Sequence, residues 1–146
     1  MATTWIIAAD SSRARILQVT GRERLQEVLD LVNPKGRMND RELITDAHPR
    51  FRGTSGPGSD RQEMPAVEHE VELFAKRVGD ELEKARLEKR YDQLVLVAPP
   101  KFLGALRKEL HKEVERLVAD ELPKDLSWFN AREIERYFAK GSERAP

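Results

Sequence analysis

The stretch YDQLVLVAPPKFLGALRKEL, residues 91–110, decides the fold. Residues 94–98 within it form an apolar run that is too short for a buried helix and rich in β-branched side chains. Two prolines end this run, so it predicts a strand that is covered on both faces of a sheet. Apolar residues then recur at helical spacing from Phe102 to Leu110, and Pro100 is acceptable in the first turn of that helix. A strand, a tight turn and a helix in this order are typical of an α/β domain.

Three further strands are predicted ahead of this unit. Residues 5–9 are a short apolar run that ends at Asp10, and residues 13–19 and 25–32 carry two more strand patterns with turn residues between them. We expect these three strands to be antiparallel and joined by tight loops. The buried strand at residues 94–98 should lie in the same sheet, because a long helix separates it from the third strand.

Helical patterns surround the buried strand. The longest begins at Pro65 and places apolar residues three or four positions apart in one stripe, formed by Val67, Val71, Phe74, Val78, Leu82 and Ala85. Residues 117–122 suit either a continuation of the helix that begins at Pro100 or a short last strand. Asn130 and Glu133 form a capping-box pattern, which predicts a closing helix.

A long segment at residues 33–64 contains glycine, proline and arginine and has no sustained periodicity. A loop of this length inside a compact domain is either functional or disordered. Its middle carries Arg50 and Arg52 and no acid, so it is either a mobile surface excursion or a basic finger that orders on a phosphate backbone or a partner. We expect one domain over residues 1–146, with this flexible loop inserted and a loose tail at residues 140–146.

The composition excludes several classes of protein. Lys plus Arg number 26 and Asp plus Glu number 26, so no overall charge draws the chain to nucleic acid or to an anionic membrane. Cysteine is absent, which excludes disulfides, thiolate metal sites and cysteine nucleophiles. The N-terminus has neither the basic lead of a signal peptide nor an apolar run long enough to span a membrane. We expect a soluble, cytoplasmic protein without a membrane span.

Asp10 is the residue whose position is most suggestive of chemistry. It follows the first strand, and ligands of parallel α/β sheets gather at the carboxyl ends of strands. A metal-dependent hydrolase or nuclease would need further carboxylates converging on that point, whereas the next buried strand ends in Ala98, Pro99 and Pro100. The alternative is that Asp10 caps its own turn through the backbone amides that follow it.

Sequence motifs for catalysis are missing. The glycine-rich segment lacks the Gly-Lys-Ser/Thr ending of a P-loop, Gly-x-Ser-x-Gly does not occur, and His48, His69 and His111 do not form a metal-ligand pattern. The sequence therefore predicts no catalytic residue, no metal site and no cofactor. Basic residues near the predicted strand ends are either solvated surface charge or a phosphate-binding patch with salt-dependent RNA binding. The candidate ligand- or phosphate-binding residues are Asp10, Arg13, Arg41, Arg50, Arg52 and Lys101.

Several blocks, in this order along the chain, resemble the bacterial host attachment protein family. They are Ala9-Asp-Ser-Ser-Arg-Ala-Arg-Ile16, Asn33-Pro34, Asp40-Arg-Glu-Leu43, Glu68-His-Glu-Val71, Phe74-Ala75 and Leu94-Val-Leu-Val-Ala-Pro-Pro-Lys-Phe-Leu-Gly104. The resemblance covers nearly the whole chain. This family is similar to the middle domain of archaeal and eukaryotic peptide-chain release factors.

The resemblance implies a ribonuclease H-like, three-layer α/β fold. It implies a mixed five-stranded sheet in the order β-β-β-α-β-α-β-α with helices on its faces, and it makes residues 117–122 the last strand. In release factors the loop between the third strand and the long helix carries Gly-Gly-Gln. Residues 33–64 contain no such motif, since Gln62 follows Arg61, so no catalytic residue is carried over.

Three functional hypotheses remain. The first is a non-enzymatic cytoplasmic binding or regulatory protein of the host attachment family, with an unidentified protein partner. The second is a ribosome- or RNA-associated protein that resembles a release factor but lacks Gly-Gly-Gln. The third is a metal-dependent hydrolase or nuclease that uses Asp10.

Overall fold

The computed structural model describes residues 2–22, 24–33 and 56–144. The strands in these ranges are β1 Thr4–Ala9, β2 Arg13–Thr20, β3 Arg24–Val32, β4 Gln93–Val97 and β5 Val118–Leu122. The helices in the same ranges are α1 Gly56–Leu87, α2 Pro100–Glu109, α3 Lys112–Glu115 and α4 Ala131–Arg144. The strands predicted from the apolar runs are all present, and residues 118–122 form a strand rather than a continuation of helix α2.

The five strands form one sheet in the order β3-β2-β1-β4-β5. The β1–β2 and β2–β3 pairs are antiparallel, and the β1–β4 and β4–β5 pairs are parallel. β1 and β4 lie inside the sheet, where Ile7 is opposite Leu96. Because interior parallel strands are covered on both faces, both segments are continuous apolar runs in the sequence. The mixed five-stranded sheet expected from the sequence is confirmed.

Helices α1, α2 and α3 cover one face of the sheet. Ile7 and Leu96 on this face are fully buried and belong to the same apolar cluster as Phe74 and Leu82 of α1. The rings of Phe74 and Phe102 lie 6.0 Å apart and connect α1 to α2. Each fully buried side chain of this size contributes roughly 1.5–3 kcal/mol relative to an exposed one.

Helix α4 covers the opposite face and completes the three-layer arrangement. Ile6, Leu17 and Val97 point to this face, alternate with the residues of the first face, and pack with Leu126 and Ile134. The helices therefore lie on both faces of the sheet, as expected of a ribonuclease H-like domain.

The predicted capping box begins helix α4. The backbone N–H of Glu133 donates to Asn130 Oδ1 at 2.8 Å, and the backbone N–H of Asn130 donates to Glu133 Oε1 at 2.9 Å. Further along the helix, Glu135 accepts a hydrogen bond from the backbone N–H of Leu25 at 2.7 Å. This bond holds the pKa of the Glu135 carboxyl below its usual value and connects α4 to the start of β3.

Helices α1 and α2 approach closely at Gly79. This buried residue has no side chain, and a Cβ placed there would lie 2.6 Å from the carbonyl oxygen of Glu109 at the end of α2. Real Cβ atoms do not come this close to a carbonyl oxygen, so the helices can pack here because position 79 is glycine.

The structure corrects two expected boundaries. Helix α1 begins at Gly56 and not at Pro65, so the end of the predicted loop at residues 33–64 is helical. Proline is accepted in the first turn of a helix and costs about 3 kcal/mol inside one, which is why the sequence indicated a helix start at Pro65. The predicted loose tail is wrong as far as Arg144, because the capped helix α4 continues through Gly141 and Ser142. The predicted flexibility of residues 34–55 lies outside the described residues.

No helix in the described ranges combines the length and the apolar character needed to cross a membrane.

Candidate functional site

The carboxyl ends of the three parallel strands meet at one edge of the sheet. Asp10 follows β1, Pro99 follows β4, and Asp125 lies just after β5. These three residues line the same groove. Ligands of open α/β sheets bind outside the carboxyl ends of the strands, so this edge is the first place to look for a site.

Asp10 caps the turn between β1 and β2. Its Oδ1 accepts hydrogen bonds from the backbone N–H groups of Ser12 at 2.8 Å and Arg13 at 2.9 Å. The backbone N–H of Asp10 in turn donates to the carbonyl oxygen of Arg13 at 2.8 Å. The capping interpretation of Asp10 made from the sequence is therefore confirmed.

The second carboxylate oxygen of Asp10 binds the segment that leads to α4. Asp10 Oδ2 accepts hydrogen bonds from Ser127 Oγ at 2.9 Å and from Trp128 Nε1 at 2.8 Å. Asp125 Oδ1 lies 2.8 Å from the same Ser127 hydroxyl. Ser127 is fully buried, and its single hydroxyl proton can be donated to only one of the two carboxylates at a time.

This arrangement bears on the metal-dependent hypothesis. Asp125 supplies a second carboxylate near Asp10, which the sequence did not indicate. No group of three or more metal-ligating His, Cys, Asp or Glu side chains occurs within residues 2–22, 24–33 and 56–144. A cation bound at Asp10 would also have to displace the donors Ser127 and Trp128, so the structure accounts for Asp10 through its hydrogen bonds.

Arg15 is the buried cation of this region. Its Nε and Nη2 donate to the two carboxylate oxygens of Glu27 at 3.0 and 3.2 Å. Its Nη1 donates to the carbonyl oxygens of Ser127, at 3.3 Å, and Phe129. Together with Asp10, Arg15 therefore ties the segment before α4 to strand β2.

Arg13 is paired within the chain. Its guanidinium binds Asp30 through two hydrogen bonds of 3.1 and 2.8 Å and lies 5.6 Å from the centre of the Trp128 ring. The hydrogen bond to Asp30 raises the pKa of Arg13. A phosphate group at Arg13 would therefore compete with a carboxylate already in place.

A groove lies between helices α1 and α2 at this edge, and we call it the α1–α2 groove. Its volume is about 730 Å³, which is within the range of ligand sites, roughly 300–1,000 Å³. Val71 of α1 and Phe102 and Ala105 of α2 provide its apolar part. The described residues that line it are Asp10, Ser11, Glu68, Val71, Glu72, Pro99, Lys101, Phe102, Gly104, Ala105, Lys108, Glu109 and Asp125.

Charged side chains of opposite sign stand on the two walls of the α1–α2 groove. Lys101 and Lys108 belong to α2, whereas Glu68 and Glu72 belong to α1. None of the four has an ion-pair partner among the described residues. Elsewhere on these helices, Arg107 binds Glu121, and the pairs Lys76–Asp80 and Arg86–Glu83 lie at 3.3 and 2.7 Å. The wall charges of the groove are therefore available to a ligand.

The structure brings together only part of the predicted residue set. Asp10 and Lys101 line the α1–α2 groove, and Arg13 lies beside Asp10 in the β1–β2 turn. Arg41, Arg50 and Arg52 lie outside the described residues, so their expected role stays a prediction.

Sequence reasoning missed the residues on the segment before α4. Ser127 is buried, and the neighbouring Trp128 and Phe129 are 52% and 40% exposed. The Asp125-Leu-Ser127 spacing, with Ser127 Oγ and N–H both near Asp125 Oδ1, is a local turn signal that could have been found in the sequence.

Comparison with known proteins identifies a family and one relative. Residues 5–138 match the protein family described as "Protein required for attachment to host cells". An uncharacterized protein of Rickettsia prowazekii (strain Madrid E) is 28% identical over 125 residues, which cover 82% of this chain and 78% of that protein.

A solved structure supports the fold. The crystal structure of the archaeal translation termination factor aRF1 matches with a TM-score of 0.50 and 15% sequence identity. The match covers 97% of this chain but only 39% of the length of aRF1. At this identity the likeness concerns the fold, and it agrees with the expected relation to one domain of release factors.

Proposed function

We propose that this chain, which belongs to the family of proteins required for attachment to host cells, is a non-enzymatic binding protein that acts from the cytoplasm through the α1–α2 groove. Its partner is another protein, and the chain affects attachment by binding or regulating that partner. The family description supports the attachment role, and the groove supports binding.

The unpaired charges of the α1–α2 groove are the observation that carries this proposal. Opposite charges that stand on facing helices would form ion pairs if the walls could close. The packing of Phe74 against Phe102 connects the helices, and in the part of the chain that the structure describes Lys101 and Lys108 still have no carboxylate within ion-pair distance. A concave surface with apolar side chains and a few convergent polar groups is the usual form of a ligand site.

An attachment assay tests the proposal. The gene is deleted in the bacterium that encodes the chain, and the strain is complemented with the wild type or with Gly104→Trp. Gly104 lines the groove, and a Cβ at this position meets no atom within 4 Å, so the indole fills the groove without an internal clash at its root. We expect the wild type to restore the number of bacteria bound per host cell and Gly104→Trp to leave it near the level of the deletion.

Ala119→Trp is the matched control. Ala119 is exposed on β5 and does not line the groove, and tryptophan is well accepted in strands. This variant should restore attachment as the wild type does. Full attachment by a folded Gly104→Trp protein at wild-type abundance would contradict the proposal.

The cytoplasmic location is tested separately by cell fractionation. We expect the chain to co-fractionate with a cytosolic marker enzyme. Recovery from the cell surface would contradict action from the cytoplasm and would leave the role of the groove open to the attachment assay.

Association with ribosomes or RNA is the second candidate function, and the likeness to aRF1 favours it. The basic side chains proposed to contact phosphate are Arg41, Arg50 and Arg52. Cosedimentation with ribosomes at low and high salt tests this candidate, because phosphate contacts weaken steeply as salt rises. Association that is lost in the variant Arg50→Glu with Arg52→Glu would support it, and no association at low salt would refute it.

A further inference from the structure

We infer that the occupant of the α1–α2 groove is an amphipathic helix of a partner protein, with a net positive charge, an apolar ridge, and its basic side against α1. This inference rests on the proposed function, because it names the ligand class of the same site. It is carried by the spacing of the wall charges, their signs, and the shape of the groove.

The charges on each wall are spaced by helical turns. Glu68 and Glu72 are four residues apart on α1, which corresponds to a separation of about 6 Å along the axis. Lys101 and Lys108 are seven residues apart on α2, or about 10 Å. The α1 wall therefore presents two acids one turn apart, and the α2 wall presents two lysines two turns apart with Glu109 at the end of the helix. A rod lying between the walls can pair with the acids of α1 and the lysines of α2 at once.

The order of apolar and charged residues suits a helix in the groove. Val71 lies next to Glu72, and Phe102 and Ala105 lie between the two lysines of α2. Helix-in-groove recognition places an apolar ridge of residues at positions i, i+3, i+4 and i+7 into such a surface. The ridge would contact the apolar residues, and its two charged flanks would face the two walls.

The size of the groove agrees with this occupant. A helix about 10 Å in diameter occupies roughly 80 Å³ per Å of its length, so a volume of about 730 Å³ corresponds to about two helical turns. Gly104 leaves open space over α2, so an incoming backbone can approach this helix closely. The groove thus has room for about two turns of a fully embedded helix, or for between three and four turns, roughly, of a half-embedded one.

The sign of the charges selects a basic helix. The described lining residues include the carboxylates of Asp10, Glu68, Glu72, Glu109 and Asp125 but only two lysines. A nucleic acid or an acidic peptide would bring like charge to this surface, which opposes association. A helix with basic residues toward α1 and one or two acids toward α2 can form ion pairs with the charged side chains of both walls.

Selection from a peptide library tests the inference without a known partner. Phage displaying randomised 18-residue peptides, a length of about five helical turns, are selected on the immobilised full chain and then counter-selected on Gly104→Trp. We expect the surviving peptides to show apolar residues at i, i+3, i+4 and i+7, a net positive charge, and helical circular dichroism when bound. The inference is overturned if groove-dependent peptides do not emerge, or if they are proline-containing, acidic or without helical periodicity.

A charge exchange then tests the orientation. Glu72 is exposed and has no ion-pair partner among the described residues, so Glu72→Lys should leave the fold intact. It should weaken a selected peptide at least tenfold in fluorescence anisotropy, and replacing one lysine of the peptide by glutamate should restore the affinity. His69→Lys, at an exposed α1 position outside the groove, is the control and should change the affinity less than twofold. Equal weakening by both variants, or no rescue, contradicts the assigned orientation.

The two proposals fail in distinguishable ways. If Gly104→Trp supports full attachment, the groove is not the functional surface and the proposed function is wrong. If Gly104→Trp abolishes attachment but the selected peptides are not basic amphipathic helices, the function stands and only the identity of the occupant is wrong.

Discussion

The close approach of α1 and α2 makes Gly79→Ala a sharp test of the helix packing. The new Cβ would lie 2.6 Å from the carbonyl oxygen of Glu109, 3.3 Å from its carbonyl carbon and 3.8 Å from Leu110 Cα. All three atoms belong to the backbone, so no side-chain rotation can relieve the contact. The two helices would have to separate by roughly 0.8 Å to reach an ordinary contact distance, in an interior packed as densely as an organic crystal.

Two effects of opposite sign decide the outcome at position 79. Alanine is about 1 kcal/mol more favourable than glycine inside a helix. Overpacking a well-filled core costs about 1–3 kcal/mol, and backbone atoms yield less readily than side chains. We expect the second effect to dominate and Gly79→Ala to lose about 1–2 kcal/mol, which lowers Tm by about 2–8 °C for a chain of this length.

Gly104→Ala is the matched comparison. The substitution is the same and the position is also helical, but a Cβ at Gly104 meets no atom within 4 Å. Only the helix propensity changes there, so Gly104→Ala should gain about 0.5–1 kcal/mol. The two variants should thus move in opposite directions from the wild type.

Urea unfolding followed by circular dichroism measures both variants under one set of conditions. Equal slopes with urea would show that both variants unfold from equally compact states, so that the midpoints can be compared. A Gly79→Ala protein as stable as Gly104→Ala would refute the packing of α1 against the end of α2. A loss in Gly104→Ala would refute the open space over α2.

Further substitutions test the edge of the sheet and one surface contact. Asparagine at position 10 cannot accept all four hydrogen bonds of Asp10, so Asp10→Asn should lower the free energy of unfolding by about 1–3 kcal/mol and change the fluorescence of Trp128. If the variant instead lost a metal-dependent RNA cleavage at unchanged stability, Asp10 would be catalytic. Arg15→Met should lose about 2 kcal/mol in urea unfolding because it leaves the carbonyl oxygens of Ser127 and Phe129 without their donor. Stability equal to the wild type would refute the role of Arg15 in tying the segment before α4 to strand β2. Asp80→Asn tests the pH dependence of stability. The hydrogen bond from His111 lowers the pKa of Asp80 in the folded protein. The ionised Asp80 therefore stabilises the fold above the unfolded pKa near 3.8, and this stabilisation is lost as the pH falls through the lower pKa of the folded protein. The wild type should exceed Asp80→Asn by less than about 1 kcal/mol near pH 5 and match it near pH 2, and a gap that widens on acidification would contradict this assignment.

The features that the sequence predicted correctly are local ones. The buried strand at residues 94–98 was visible because an interior parallel strand needs apolar side chains on both faces, and prolines end it. The Asn130–Glu133 capping box and the turn cap of Asp10 were visible because each involves residues two or three positions apart. Such contacts depend on the nearby backbone and little on the rest of the fold.

The features that the sequence did not show depend on contacts between distant residues. Ser127 and Trp128 meet Asp10 across separations of 117 and 118 residues, and this contact exists only because β5 returns parallel to β4. The α1–α2 groove likewise arises from the crossing of two helices at Gly79, and a glycine in a helical pattern does not indicate which backbone lies against it. The early start of α1 was hidden by Pro65, which favoured a helix start at that residue.

The two faces of the sheet receive their cover at different times during synthesis. Helices α1, α2 and α3 are complete before the ribosome has translated α4, which follows every strand in the chain. Until then this face of the sheet is an exposed apolar surface that includes Ile6, Leu17 and Val97. Partly finished chains with such surfaces are prone to aggregate and are recognised by chaperones. Ribosomes stalled when residue 122 has just left the exit tunnel should therefore carry more bound chaperone than ribosomes that have also released α4 from it.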